Sequence, residues 1–139
     1  RIDPSIGEAG DLDTVTVLMK FAGGTSCVIQ NSRKAVYGYD QRVEVFGSHG
    51  EIGTENQFPN SATLRTKDSI RRDPPMRFFL DRYQESYVEE LRQFIEAVTS
   101  GTASPVSGLD GRIPVVMALT AQRSLEENRP VRLNEIDPD

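Results

Sequence analysis

Apolar and polar residues along this chain change their period once, and the change divides it. From Thr14 the pattern alternates, with Val15, Val17, Met19 and Phe21 on one side and Thr14, Thr16, Leu18 and Lys20 on the other. That two-residue repeat predicts a half-buried strand. Gly23-Gly24 supplies positive-φ positions for a tight turn, and residues 25–33 return with Cys27, Val28 and Ile29, so a hairpin is expected. Gln41-Arg42-Val43-Glu44-Val45-Phe46 alternates again until Gly47-Ser48-His49-Gly50 breaks the run. Residues 51–56 and 62–67 are shorter strand candidates, and residues 70–72 add one more. No stretch before residue 73 reads as a helix long enough to cross between parallel strands. Hairpin connections and one antiparallel sheet of four to six strands are therefore expected.

After Asp73-Pro74-Pro75 the period becomes helical. Tyr83, Tyr87, Leu91, Phe94, Ile95 and Val98 fall on one stripe, and Gly101 stops it. A second helix is predicted with Ser107 or Asp110 as its cap and Ile113, Val116, Met117, Thr120 and Ser124 along one face. Pro114 suits that helix only in its first turn. Residues 126–130 close it, leaving Val131-Arg132-Leu133 as a short final strand or an extended tail. Residues 1–12, with Pro4, Gly7 and Gly10 and no period, read as a lead-in loop to one domain over residues 13–139. The predicted class is α+β: an open, mainly antiparallel sheet with two helices packed on one face.

Charge and composition narrow the function. Sixteen basic against 21 acidic side chains leave a net charge of −5, with no general basic field for phosphate backbones, so nucleic acid is not an expected partner. No apolar stretch approaches the ~20 residues of a membrane helix, and no charged-then-apolar leader opens the chain, so a soluble protein without membrane association is expected. Cys27 is the single cysteine, which rules out an intrachain disulfide and fits a reducing, cytoplasmic setting. The opening Arg1-Ile2-Asp3-Pro4 suggests a fragment or a processed product.

The usual signatures of catalysis are missing. Neither a G-x-G-x-x-G turn nor a P-loop occurs, and Gly47, Gly50 and Gly53 lie between strand candidates, as hairpin glycines do. His49, flanked by Ser48 and Gly50, reads as a turn residue, and Cys27 as a small hydrophobe within a strand. The carboxylates Asp81, Glu85, Glu89 and Glu90 alternate with Arg82 and Arg92 as a solvated face does. Arg65, Lys67, Arg71 and Arg72 suit a charged sheet edge, with anion binding as the alternative. No catalytic, cofactor-binding or metal-binding residue is assigned.

One segment stands apart. Asn31-Ser32-Arg33-Lys34-Ala35-Val36-Tyr37-Gly38-Tyr39-Asp40 crowds hydroxyl, amide and charged groups between two strands. A polyol pocket needs groups of this kind, because each substrate hydroxyl both donates and accepts, and tyrosine answers with a two-way hydrogen bond on a stiff ring. The plainer alternative is two aromatic side chains packed on a sheet with their tips in water.

From Asn31 to Gly50, centred on Val36-Tyr37-Gly38-Tyr39-Asp40-Gln41-Arg42-Val43-Glu44-Val45-Phe46-Gly47, the chain resembles the carboxy-terminal domain of bacterial inositol 2-dehydrogenases, within the glucose-fructose oxidoreductase and inositol dehydrogenase (Gfo/Idh/MocA) family. The likeness continues through residues 79–98 and from Asp110-Gly111-Arg112 to Ser124, covering most of residues 10–133. It implies an NAD-dependent oxidoreductase whose amino-terminal Rossmann domain, absent here, holds the cofactor and the catalytic lysine and histidine. On this chain it implies a substrate and oligomerisation domain. Tyr39 and Tyr37 are then substrate-binding residues for myo-inositol or a related polyol, Asp40 orients them, and the sheet supports a homo-oligomer. The isolated domain is expected to be inactive. A non-catalytic assembly module and a dehydrogenase of another sugar are the rival readings.

Overall fold

In the computed structural model, which describes residues 2–137, β1 (Thr14–Lys20) shows the alternation expected of it. Val15, Val17 and Met19 are half-buried while their neighbours are exposed. β1 pairs antiparallel with β2 (Ser26–Ser32), from Thr14 opposite Ser32 to Lys20 opposite Ser26. The turn closes because the Phe21 amide donates to the Thr25 carbonyl at 2.9 Å, and Gly24, at φ 88°, donates to the Phe21 carbonyl at 3.0 Å. β3 (Val43–Gly47) and β4 (Gly50–Thr54) form a second hairpin around Ser48-His49. β5 (Thr63–Arg65) and β6 (Ile70–Arg72) form a third.

The α+β class with open antiparallel strands is what the structure has, but the single sheet of four to six strands is not. Among the described residues the strands make three separate two-stranded ladders. Only partners joined by a tight turn are zipped together. Between β2 and β3 the chain spends a backbone group elsewhere: the Tyr39 amide donates to the Met76 carbonyl at 2.7 Å, and Met76 in turn donates its own amide to the Gln57 carbonyl, after β4, at 3.1 Å.

The lead-in is not simply a loop. It contains a short helix, α1 (Pro4–Glu8), with Pro at its start and Asp3 as its cap, whose carboxylate accepts from the Ser5 amide and hydroxyl at 3.1 and 2.6 Å. Asp13, only 3% exposed, accepts from the Ile2 and Asp3 amides, both at 2.6 Å, and so staples the lead-in to β1. These donors, the Asp3 amide foremost, hold its carboxyl below the usual aspartate range.

α2 (Phe79–Ser100) ends at Gly101, whose φ of 65° carries the chain out of the helix. α3 (Gly108–Glu127) is capped by Ser107: its hydroxyl accepts from the Asp110 amide, and the Asp110 carboxylate accepts from the Ser107 amide at 2.8 Å. Pro114 lies beyond the first turn, contrary to expectation; the helix continues through it and gives up one hydrogen bond. Asn128 ends α3 in the left-handed conformation (φ 50°, ψ 43°). The segment after it forms no strand: Arg132 is extended (φ −89°, ψ 149°), but the chain then turns in a 3-10 helix, Leu133–Glu135, tied back by Arg129, which pairs with Glu127 at 2.6 Å and Glu135 at 2.7 Å.

Contacts divide the chain into two units, Arg1–Tyr87 and Val88–Asp139. Full burial is sparse in both: Asp13 in the first, and Ala97, Val116 and Thr120 in the second. The predicted stripe of α2 is real in its spacing, yet Tyr87, Leu91, Phe94, Ile95 and Val98 are all exposed. No described helix is long and apolar enough to cross a membrane.

Candidate functional site

The segment between β2 and β3 is fixed by a close backbone approach that only glycine permits. Gly38 sits at φ 141°, and a Cβ there would lie 2.8 Å from the Pro75 carbonyl oxygen. Its amide donates to the Ala35 carbonyl at 3.3 Å, and the next amide, of Tyr39, is the one that bonds Met76. Gly38 thus bends the chain between the two tyrosines and presses it onto the backbone of residues 75–76.

Asp40 is the polar hub of this segment. Its carboxylate accepts from Arg42 Nε at 2.9 Å and Nη2 at 3.0 Å, from Asn56 Nδ2 at 2.7 Å, and from the Tyr37 hydroxyl. Asn56 closes the network by accepting from the Gln41 amide at 2.8 Å. Arg42 first, then Tyr37 and Asn56, hold the Asp40 carboxyl far below the usual aspartate range. Asp40 is therefore a permanently ionised anchor, unsuited to exchanging protons near neutrality.

The two tyrosines meet different surroundings. Tyr37 is exposed and, with Asp40, Arg42 and Asn56, lines an open concavity of about 430 Å³. Its proton is committed to Asp40, which raises its pKa and leaves the phenolic oxygen free to accept. Tyr39 is half-buried and outside that lining. Its ring packs edge to face on Tyr83, with centroids 5.8 Å apart and planes at 86°. Tyr83, then burial, raises the Tyr39 pKa, so both phenols stay neutral. The segment is equipped to recognise hydroxyl groups by donating and accepting hydrogen bonds; it holds no general base.

The remaining candidates take the plainer roles. Ser48 and His49 form the β3–β4 turn, with the serine Oγ 3.1 Å from His49 Nδ1. Cys27 lies within β2, part-exposed. Arg92 pairs with Glu89 at 2.6 Å and Glu96 at 2.8 Å on an exposed face. Arg71 and Arg72 lie on β6 and Arg65 on β5; Arg72 also stacks over the Phe58 ring, 4.1 Å from its centroid, on the wall of the concavity. Among the described residues no cluster of three or more His, Cys, Asp or Glu side chains is placed to hold a metal. Sequence reasoning missed Arg42, Asn56, Arg82 and Tyr83. The Asp40-Gln41-Arg42 spacing was a usable signal for Arg42, whereas Asn56 comes from beyond the end of β4.

A dinucleotide does not fit the residues present. Gly47 and Gly50 flank a hairpin turn and not a strand-to-helix turn. The N-terminus of α3 already receives the Asp110 carboxylate, whose charge would oppose a pyrophosphate there.

A protein-family model for the GFO/IDH/MocA C-terminal domain matches residues 1–53, which run from α1 into β4 and include Tyr37, Gly38, Tyr39 and Asp40. The myo-inositol 2-dehydrogenase of Thermotoga maritima is 47% identical over 135 residues, 97% of this chain and 40% of that protein. The crystal structure of a probable dehydrogenase from Thermotoga maritima matches with a TM-score of 0.93 at 46% identity, over 98% of this chain and 41% of that one. A scyllo-inositol dehydrogenase from Lactobacillus casei, solved with NAD(H) and scyllo-inositol, matches with a TM-score of 0.86 at 25% identity, over 96% of this chain and 39% of that one. The chain spans about 40% of the length of curated relatives that it matches. With the same segment carrying the sequence likeness and the glycine-locked tyrosine pair, the chain belongs to the GFO/IDH/MocA family, as its C-terminal domain.

Proposed function

We propose that this chain is the substrate-side and assembly domain of an NAD-dependent inositol 2-dehydrogenase that oxidises a ring hydroxyl of myo-inositol or a related polyol. The observation that carries this reading is the Gly38 contact with Pro75, which holds two neutral phenols and an ionised carboxylate in one short segment. Tyr39 and Tyr37 hydrogen-bond substrate hydroxyls, and Asp40 orients Tyr37 by accepting a hydrogen bond from its hydroxyl. NAD, which accepts the hydride in such a reaction, is held by residues outside this chain, as are the groups that move the hydroxyl proton. Domain 13–139 thus binds and assembles, and alone it is inactive. The exposed apolar strand faces support a homo-oligomer. A cytoplasmic location belongs to the same reading, in keeping with the unpaired Cys27.

The test is Tyr39→Phe in the full-length enzyme. Losing one hydrogen bond worth about 1 kcal/mol should raise KM for inositol roughly fivefold and leave KM for NAD unchanged. Unaltered inositol kinetics would remove Tyr39 from the pocket. A panel of cyclitols and sugars on the same enzyme decides the substrate: preference for a pyranose would replace inositol while keeping the domain's role.

A further inference from the structure

The phenol of Tyr39 is aimed by a neighbour. Its amide is fixed by Met76, but the direction of the ring depends on what the ring meets, and that is Tyr83, edge to face. Tyr83 and Arg82 lie in the opening turns of α2. Arg82 reaches back 41 positions to donate from Nη2 to the Gln41 carbonyl at 3.0 Å, and its guanidinium carbon lies 5.9 Å from the Tyr83 ring centroid. Residues 39–41 are thereby held at three points: the Tyr39 amide by Met76, the Gln41 amide by Asn56, and the Gln41 carbonyl by Arg82.

Arg82 also carries a feature that stability does not account for. Its Nη1 is buried and has no hydrogen-bond partner within the described residues. A buried donor left unpaired costs stability, and more so when it is charged. A shorter or neutral side chain would avoid that cost. What an arginine adds here is a rigid planar fork that bonds a carbonyl while its face and edge steady a ring.

Resting on the substrate-side reading of Tyr39, we propose that Arg82 and Tyr83 are positioning residues for the polyol: they set the height and tilt of the Tyr39 phenol, Tyr83 through its ring and Arg82 through the Gln41 carbonyl. Neither touches substrate. Both act through Tyr39, so their effect vanishes when the Tyr39 hydroxyl is gone. The same neighbours bear on its proton, Tyr83 raising the phenol's pKa and Arg82 opposing the rise.

A double-mutant cycle in the full-length enzyme tests this. Arg82→Met should raise KM for inositol by up to about fivefold, no more than Tyr39→Phe does, while KM for NAD stays put, and Arg82→Lys, which keeps a donor for the Gln41 carbonyl, should recover part of the loss. In a Tyr39→Phe background, Arg82→Met should add less than about twofold. Tyr83→Phe, which keeps the ring contact, should cost less than Tyr83→Ala. If Arg82→Met fails to fold, Arg82→Lys carries the same cycle. Effects that multiply in the double mutant overturn the positioning role while leaving Tyr39 in the pocket. A rise in both KM values together with a lower melting temperature, unrelieved by lysine, overturns it too. A silent Tyr39→Phe sinks the pocket assignment itself, and the positioning role with it.

Discussion

Two neighbouring regions of the first unit are held in opposite ways. The loop from Ala35 to Gln41 has no regular secondary structure beyond a turn, yet its amides, carbonyls and carboxylate are bonded to residues 56, 75, 76 and 82 through contact or hydrogen bond. The β3–β4 hairpin is regular and complete, yet its apolar side chains face outward, with Val45 58% and Phe46 82% exposed. Order does not follow secondary structure here. The loop is held in place by polar groups and one close backbone approach; the hairpin keeps its ladder but lacks a cover. A loop held this way suits the recognition proposed for it, and an uncovered apolar strand pair suits the proposed assembly.

The sharpest way to break this contrast is at Gly38. Alanine there must adopt a positive φ and push its Cβ into the Pro75 carbonyl, so Gly38→Ala should destabilise the enzyme by about 3 kcal/mol. Thermal unfolding measures the cost, and KM for inositol should rise as the tyrosines move. Gly50 is the control. It too has a positive φ, 144°, but no atom stands within 4 Å of its would-be Cβ. Gly50→Ala should therefore cost clearly less; equal losses would mean that backbone strain, and not the Pro75 contact, makes Gly38 necessary.

The hairpin answers to a different change. Placing charges on its outward face, as in Val45→Lys with Ile52→Lys, should alter the folded stability of the protomer by less than about 1 kcal/mol per site, because neither side chain is buried. Self-association should weaken by about tenfold or more in sedimentation. An unchanged oligomer would show that this face is not the assembly surface and leave the loop's role untouched.

The strands, both long helices, the Ser107 cap and the Gly101 stop were legible because each rests on local chemistry: a two-residue or 3.6-residue period, a side-chain acceptor, a positive φ. What joins elements was not. Alternation in Val43 to Phe46 shows that a face is apolar without saying what covers it, so one continuous sheet was inferred where three ladders exist. Asp13 could not be singled out, since nothing nearby in sequence shows that the Ile2 and Asp3 amides will come to it. Pro114 was misplaced because a helix of twenty residues can give up one hydrogen bond and continue. In the candidate site, Tyr37, Gly38 and Asp40 could be read from their crowding in one segment. Asn56 and Arg82, 16 and 41 positions from their partners, could not.

The smallest expected effect concerns charge within the locked loop. Asp40 has a folded pKa well below its unfolded value, owing to Arg42 first and then to Tyr37 and Asn56. As pH falls, the unfolded chain therefore takes up a proton before the folded one does. The stabilisation from Asp40 is complete above about pH 5 and declines from about pH 4 downward, through the folded pKa. Asp40→Asn keeps the shape but removes the charge, so the gap in unfolding free energy between wild type and mutant should be widest near neutrality and narrow below about pH 4. Urea titrations at a series of pH values measure that gap. Asp3, Glu89 and Glu135, each lowered to about 2 by exposed partners, respond in the same direction, so the mutant keeps an acid limb of its own. A gap that stays constant with pH would mean that the loop is locked by the shape of the Asp40 network and by Gly38 alone, with the carboxylate's charge contributing nothing.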